Sequence, residues 1–68
     1  MIMKCYLVSR TDKVGWVEDY AMVVIAKDEL HAERKSRWQS EYFRKAKLKV
    51  KEIDMNTEKV VLIANTGA

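Results

Sequence analysis

One long helical pattern constrains this chain more than any other feature of its sequence. Nothing between residues 29 and 47 breaks a helix, because the 68 residues include no proline and the two glycines lie outside this segment. Asp28 precedes the segment as a candidate N-cap, and Glu29 places negative charge in the first turn, where it favours the helix dipole. The sequence therefore predicts one helix over residues 29–47.

At about 100° per residue, this helix has an apolar stripe and a charged face. The stripe collects Ala32, Trp38, Gln39, Tyr42, Phe43 and Ala46, with Lys35 and Ser36 intruding. The opposite face collects Glu33, Arg34, Arg37, Glu41, Arg44 and Lys45, among which Glu33–Arg37 and Glu41–Lys45 are favourable pairs. We therefore expect Trp38, Tyr42 and Phe43 to pack against a core. In the alternative, the chain unwinds from Trp38 into an aromatic loop that plugs the core.

Four shorter segments predict β-strands. They comprise residues 3–10, 20–26, 48–55 and 60–64. In the first, Cys5 and Leu7 alternate with Tyr6 and Val8, and we expect Cys5 to be a buried core thiol. The second is apolar and β-branched and follows a short connection, so it should pair with the first as a hairpin. The last is apolar on both faces, as a central strand would be.

The third predicted strand carries lysines on one face. Lys47, Lys49 and Lys51 alternate with Leu48 and Val50, and with Lys4 and Tyr6 on a neighbouring strand they would form a basic sheet surface. Ile53 breaks the alternation, which predicts a bulge near residues 51–52.

The predicted order of elements is strand, strand, helix, strand, strand. No repeat, linker or shift in composition divides the chain, so residues 1–68 should form one domain. The economical solution is an α+β fold of two layers, ββαββ, with one helix packed on one face of a four-stranded, mostly antiparallel sheet. The other sheet face is then open to water or covered by a partner.

Catalytic chemistry has little support in the sequence. His31 lies beside acidic residues at the helix start, so a solvated surface side chain is favoured over a general base. Ser36 and Ser40 are interpreted as ordinary residues of the helix surface or its boundary, and no glycine-rich phosphate loop is present. Adjacent carboxylates at Glu18 and Asp19 point to different sides, unlike those of a Ca²⁺ site. We therefore expect no enzyme activity, no metal and no cofactor.

The sequence also predicts a cytoplasmic protein that does not enter a membrane. The apolar N-terminal run is too short for a signal peptide and is interrupted by Lys4. No stretch approaches the roughly 20 apolar residues that span a bilayer. The single cysteine excludes an internal disulfide framework, which also favours a reducing compartment.

Charge is distributed unevenly along the chain. Residues 34–51 hold eight basic residues and one acidic residue, whereas the rest of the chain holds five basic and nine acidic residues. Basic residues interleaved with aromatic residues are typical of nucleic-acid-binding surfaces, on which bases stack. The candidate residues for such a surface are Arg37, Arg44, Lys47, Lys49 and Lys51. In the opposing interpretation, the aromatic residues are core and the lysines solvate an exposed face.

The connection between the first two predicted strands is another candidate surface. Its candidate contact residues are Arg10, Asp12, Trp16, Glu18, Asp19 and Tyr20. Exposed tryptophan and tyrosine among charged residues are typical of anchors in protein interfaces. Alternatively, Trp16 folds back over the sheet edge and enlarges a small core.

The same connection carries a recognisable sequence pattern. Residues 10–16 read Arg-Thr-Asp-x-Val-Gly-aromatic, and an acidic-aromatic step and an apolar strand follow within residues 6–24. Together with the acid-rich helix start at 27–32 and the ending at 61–67, this resembles a group of small, mostly uncharacterised accessory proteins of tailed bacteriophages and prophages. The resemblance covers about half of the chain and implies a loop, rather than a helix, over residues 38–47.

The resemblance implies a phage accessory protein, and phage proteins of this size commonly work by binding. We therefore expect a non-enzymatic protein, similar to anti-CRISPR and other anti-defence proteins, that inhibits or redirects a host protein or a protein–nucleic-acid complex in the bacterial cytoplasm. One alternative is a small nucleic-acid-binding module. Another is a structural role as a homodimer that is paired through sheet edges.

Overall fold

The computed structural model describes residues 2–12 and 19–62 and shows a small α+β fold. Its strands are β1 (Lys4–Arg10), β2 (Ala21–Ala26) and β3 (Leu48–Glu52), and its helices are α1 (Glu29–Gln39) and α2 (Glu41–Arg44). The strands form one antiparallel sheet in the order β2-β1-β3. The predicted α+β class, the first three strands and the pairing of β1 with β2 are therefore confirmed.

The alternation of side chains along β1 decides which sheet face becomes the core. Tyr6 pairs with Val24 of β2, and Val8 pairs with Val50 of β3. The buried core consists of Tyr6, Val8, Ala26, Ala32 and Phe43. Cys5, which is expected in the core, is instead half-buried on the opposite sheet face. That outcome follows from the strand period of two, because the helices cover the face that carries Tyr6 and Val8.

The helix predicted over residues 29–47 is interrupted at Ser40. The α1 helix ends at Gln39, Ser40 has an extended backbone (φ −128°, ψ 125°), and α2 begins at the next residue. Ser40 is buried, and its hydroxyl donates to the Asp19 carboxylate at 2.8 Å. One continuous helix is therefore wrong. The loop alternative is right only in that an aromatic residue, Phe43, fills the core, because Trp38 and Gln39 are still helical and Phe43 lies in α2.

The interruption changes which aromatic residue reaches the core. Phe43 is fully buried, whereas Trp38 is 83% exposed. The residues through which α1 meets the sheet are instead Ala32 and Ser36, which lie one helical turn apart and are both fully buried. The core position expected for Trp38 is therefore wrong, as are the surface positions expected for Ser36 and Ser40. Small side chains on this face let α1 lie close to the strands.

Hydrogen bonds from the Arg37 side chain connect α2 and the residues after it to the end of α1. Its Nη1 lies within hydrogen-bond distance of the carbonyl oxygens of Phe43 (2.7 Å), Arg44 (2.9 Å) and Ala46 (3.1 Å). Its Nε donates to Glu33 at 3.1 Å, which confirms the predicted pair within α1. Carbonyl groups at a helix C-terminus have no partners within the helix and carry partial negative charge. The guanidinium therefore satisfies these carbonyls and complements their charge.

Two further predictions about the helices have different outcomes. Asp28 is the N-cap of α1, and its carboxylate accepts from the backbone N–H of His31 at 2.9 Å. None of the ion pairs in residues 2–12 and 19–62 joins Glu41 to Lys45. The α2 helix ends at Arg44, and Lys45 is its C-cap.

The predicted bulge and the predicted fourth strand are both wrong where the structure describes them. The pairing of β1 with β3 continues in register past its end, because the Ile53 N–H donates to the Cys5 carbonyl at 2.8 Å. Residues 60–62 have no strand conformation, and residues 63–64 lie outside the described residues. An apolar run on both faces predicts a central strand, but β1 already holds the central position in this sheet.

We expect truncation of Phe43 to destabilise the protein strongly and truncation of Trp38 to have almost no effect on its stability. Phe43→Ala should lower the free energy of unfolding by about 3–5 kcal/mol, because it leaves a cavity in the core. Trp38→Ala should change it by no more than about 0.5 kcal/mol, because the indole lies in solvent. Urea unfolding of both variants measures the difference. A large loss in the Trp38→Ala variant would contradict the placement of this side chain.

Removing the guanidinium of Arg37 should loosen the link between the helices. Arg37→Met keeps an apolar stem but leaves three carbonyls without their charged donor, so we expect a loss of about 1.5–3 kcal/mol in unfolding free energy. Arg34→Met, on the exposed side of the same helix, serves as the matched control and should lie within about 0.5 kcal/mol of the parent. Equal unfolding curves for both variants would show that the carbonyl contacts are dispensable.

Candidate binding surfaces

Arg10 holds the base of the β1–β2 hairpin. Its side chain is 7% exposed, and it makes two parallel hydrogen bonds to Asp12, from Nε to Oδ1 at 2.9 Å and from Nη2 to Oδ2 at 2.8 Å. These bonds hold the pKa of Asp12 below its usual range. Arg10 Nη1 also lies 3.4 Å from the backbone oxygen of Asp19. Arg10, Asp12 and Asp19 therefore fix the start and end of the hairpin connection.

The remaining predicted contact residues of the hairpin have separate outcomes. Tyr20 is half-buried, and its hydroxyl is buried without a hydrogen-bond partner among the residues that the structure describes. Trp16 and Glu18 lie outside the described residues, so their role in binding stays a prediction. Arg10, Asp12 and Asp19 thus stabilise the base of the hairpin. The residues of the connection, including Trp16 and Glu18, remain the candidates for contact with a partner.

The exposed side of α1 carries a surface that combines apolar and basic side chains. We call Leu30, Arg34, Lys35 and Trp38 the α1 surface. Trp38 is 83% exposed and Leu30 is 54% exposed. Arg34 precedes Trp38 by one helical turn, and His31, Arg34, Lys35, Trp38 and Gln39 line one shallow depression. The arrangement suits a partner that offers an apolar pocket for the indole, with acidic groups around it.

A signal for this surface exists in the sequence, although the apolar-stripe interpretation misses it. Ala32, Ser36 and Ser40 recur at intervals of four residues, and all three are buried. Small residues at this spacing mark a helix face that approaches a neighbouring layer closely. Trp38 is about 200° around the helix from Ser36, which places it on the far side. A stripe drawn through the larger apolar residues therefore points to the wrong side of α1, whereas the small residues Ala32 and Ser36 mark the side that packs against the sheet.

The residues predicted for nucleic-acid binding are not brought together. Arg37 is bound to Glu33 and to helix carbonyls, and Arg44 Nε lies 3.3 Å from the Arg37 carbonyl oxygen. Lys47, Lys49 and Lys51 are exposed, and in the described part of the chain none of them forms an ion pair.

The aromatic residues do not join these lysines. In the sheet register Lys51 lies beside Leu7 of β1, on the face away from the helices, so the sheet separates it from Trp38. Tyr6 is buried on the helix side, and Lys4 pairs with Glu52 at 3.7 Å. The predicted basic sheet surface that combines Lys4 and Tyr6 with the lysines is therefore wrong.

The potential catalytic groups are also dispersed. Asp28 accepts from the His31 backbone and lies 2.8 Å from His31 Nδ1, and these bonds hold the pKa of Asp28 below its usual range. Cys5 lies on the sheet face opposite α1, so the sheet stands between it and His31. Among residues 2–12 and 19–62, no three histidine, cysteine, aspartate or glutamate side chains cluster in a way that could hold a metal ion.

Neither helix described by the structure has the length and apolar character needed to cross a membrane. No protein-family model, curated protein or solved structure matches this chain. The resemblance to small phage accessory proteins therefore stays a prediction.

Proposed function

We propose that this protein is a non-enzymatic accessory protein of the phage type, which binds a host protein or a host protein–nucleic-acid complex in the bacterial cytoplasm and inhibits or redirects it. The observation that carries the proposal is the position of Trp38. A tryptophan that is 83% exposed in the last turn of a packed helix contributes little to the fold. Large exposed apolar side chains of this kind are typical of interaction sites.

The neighbours of Trp38 specify the character of the contact. Tryptophan and arginine are the side chains most enriched among residues that dominate binding energy, and Arg34 and Trp38 lie one turn apart on α1. Leu30 extends the apolar area, and Lys35 adds a second positive charge beside the indole. Such a surface favours a partner with a negatively charged rim, which the charges would steer toward contact.

The hairpin connection is the second part of the proposed contact. Arg10, Asp12 and Asp19 hold its two ends together, so its sequence is presented from a fixed base. Its apolar and charged residues, including Trp16 and Glu18, would then enlarge the area that the partner covers.

The proposal predicts that Trp38→Ala abolishes capture of a specific partner from a bacterial lysate. A tagged chain should retain one host protein or complex at moderate salt, and truncating a dominant tryptophan should weaken retention by about 30-fold or more. Met55→Ala is the matched control, because Met55 is 76% exposed and lies in the turn after β3. Trp16→Ala tests the hairpin in the same assay. Equal retention by the parent and the Trp38→Ala variant would overturn the role of the α1 surface.

Nucleic-acid binding is the second candidate function, and one observation favours it. Lys47, Lys49 and Lys51 are exposed along one edge of the sheet without acidic partners in the described residues, as a surface that tracks phosphates would be. Fluorescence anisotropy with single- and double-stranded probes should then show binding that weakens steeply with salt. Replacing Lys49 and Lys51 with alanine should reduce the log–log salt slope by about two. No binding at low salt would exclude this function.

A further inference from the structure

The outer edge of β2 has backbone groups that no strand among the described residues satisfies. Within residues 2–12 and 19–62, β2 pairs only with β1 and is therefore an edge strand. The Arg10 N–H donates to the Tyr20 carbonyl at 2.8 Å. In an antiparallel pair every second residue directs its backbone N–H and C=O toward the same neighbouring strand, so this bond shows which residues of β2 face β1. Residues 20, 22, 24 and 26 therefore bond toward β1. The N–H and C=O groups of Ala21, Val23 and Ile25 point away from the sheet.

This edge lacks the features that usually prevent strand addition. Edge strands are commonly protected by charged residues, by proline or by bulges. The other edge, β3, carries Lys49 and Lys51, whereas β2 reads Ala-Met-Val-Val-Ile-Ala without a charge. Val23 is 57% exposed and Ile25 is 59% exposed. A groove of about 570 Å³ runs along β2 beneath Lys35 and Gln39, which leaves room for another strand.

We propose that this edge binds the β2 edge of a second copy of the chain, antiparallel about a two-fold axis at Val23, so that two three-stranded sheets become one sheet of six strands. In this register Val23 faces Val23 of the second copy, and Ala21 faces Ile25. All the outward groups of the three residues are then satisfied, with about six new hydrogen bonds. The axis lies perpendicular to the sheet, so the sheet faces that the helices leave uncovered lie on the same side of the dimer.

Charge complementarity identifies the occupant as a second copy. The edge is flanked by Asp19 at one end and Lys27 at the other, each four residues from Val23. Both are exposed, and the carboxylate of Asp19 also accepts a hydrogen bond from Ser40 through Oδ2. Antiparallel pairing about Val23 places Asp19 of each copy opposite Lys27 of the other, once at each end. A small residue also meets a large one where Ala21 faces Ile25. The segment 19–27 therefore complements its own reversed sequence in size and in charge.

The dimer goes beyond the proposed function and does not depend on it. Trp38 lies on the side of α1 away from the sheet, so pairing through β2 leaves Leu30, Arg34 and Trp38 of the α1 surface exposed in both copies, while Lys35 borders the groove beside β2. A dimer would present this surface twice, related by the two-fold axis. The two proposals can therefore fail separately, since capture of a partner depends on Trp38 and self-association depends on the β2 edge.

Sedimentation equilibrium over a wide range of protein concentration tests the dimer. The parent chain should form dimers, Val23→Lys should be monomeric because two lysines would meet at the axis, and Lys49→Ala on the other edge should behave as the parent. Circular dichroism shows whether each variant is folded. A parent that stays monomeric at all concentrations would overturn the proposal, as would a folded Val23→Lys variant that still dimerises.

A charge reversal tests the register itself and does not require Val23→Lys to fold. Lys27→Asp places like charges opposite one another at both ends of the paired edge and leaves the hydrogen bond between Ser40 and Asp19 intact, so this variant should dimerise about tenfold more weakly than the parent. Lys49→Asp makes the same change of charge on the other edge and should dimerise as the parent does. Amide hydrogen exchange at Ala21, Val23 and Ile25 should also slow as the parent concentration rises. Equal dimerisation by Lys27→Asp and the parent, or exchange that is independent of concentration, would overturn the register.

Discussion

The break at Ser40 is the constraint on which the rest of this structure depends. It separates α1 from α2, and Arg37 holds the two together through three carbonyl oxygens beyond the break. Because the chain changes direction there, Phe43 reaches the core and α1 can meet the sheet through Ala32 and Ser36 alone. The core formed by the described residues therefore does not include Trp38, whose side chain is 83% exposed.

This packing of the helices on the sheet leaves several surfaces of different chemical character. The helices cover one face of the sheet, and the other face combines apolar side chains of β2 with lysines of β3. One sheet edge is protected by charge and the other is not. The far side of α1 adds a separate apolar and basic surface.

The sequence predicts most of the sheet because period-two patterns are local and the core face needs only a few large residues. The N-cap at Asp28, the hairpin pairing and the first three strands follow from such patterns. Sequence reasoning fails where tertiary contacts override local preference. The segment through Ser40 has every feature of a continuous helix, and the hydrogen bonds to Asp19 and Arg37 that favour the break involve distant residues or the segment beyond it. The face of β1 that becomes the core depends likewise on where the helices pack.

Fluorescence of Trp38 in a Trp16→Phe variant tests this account most directly, because Trp38 is then the only tryptophan. The structure predicts emission typical of an indole in water. It also predicts stronger quenching by iodide than by caesium, since Arg34 and Lys35 attract anions to that side of α1. Blue-shifted emission that resists both quenchers would place Trp38 in the core, as a continuous helix would, and would contradict the break at Ser40 and the exposure of the α1 surface.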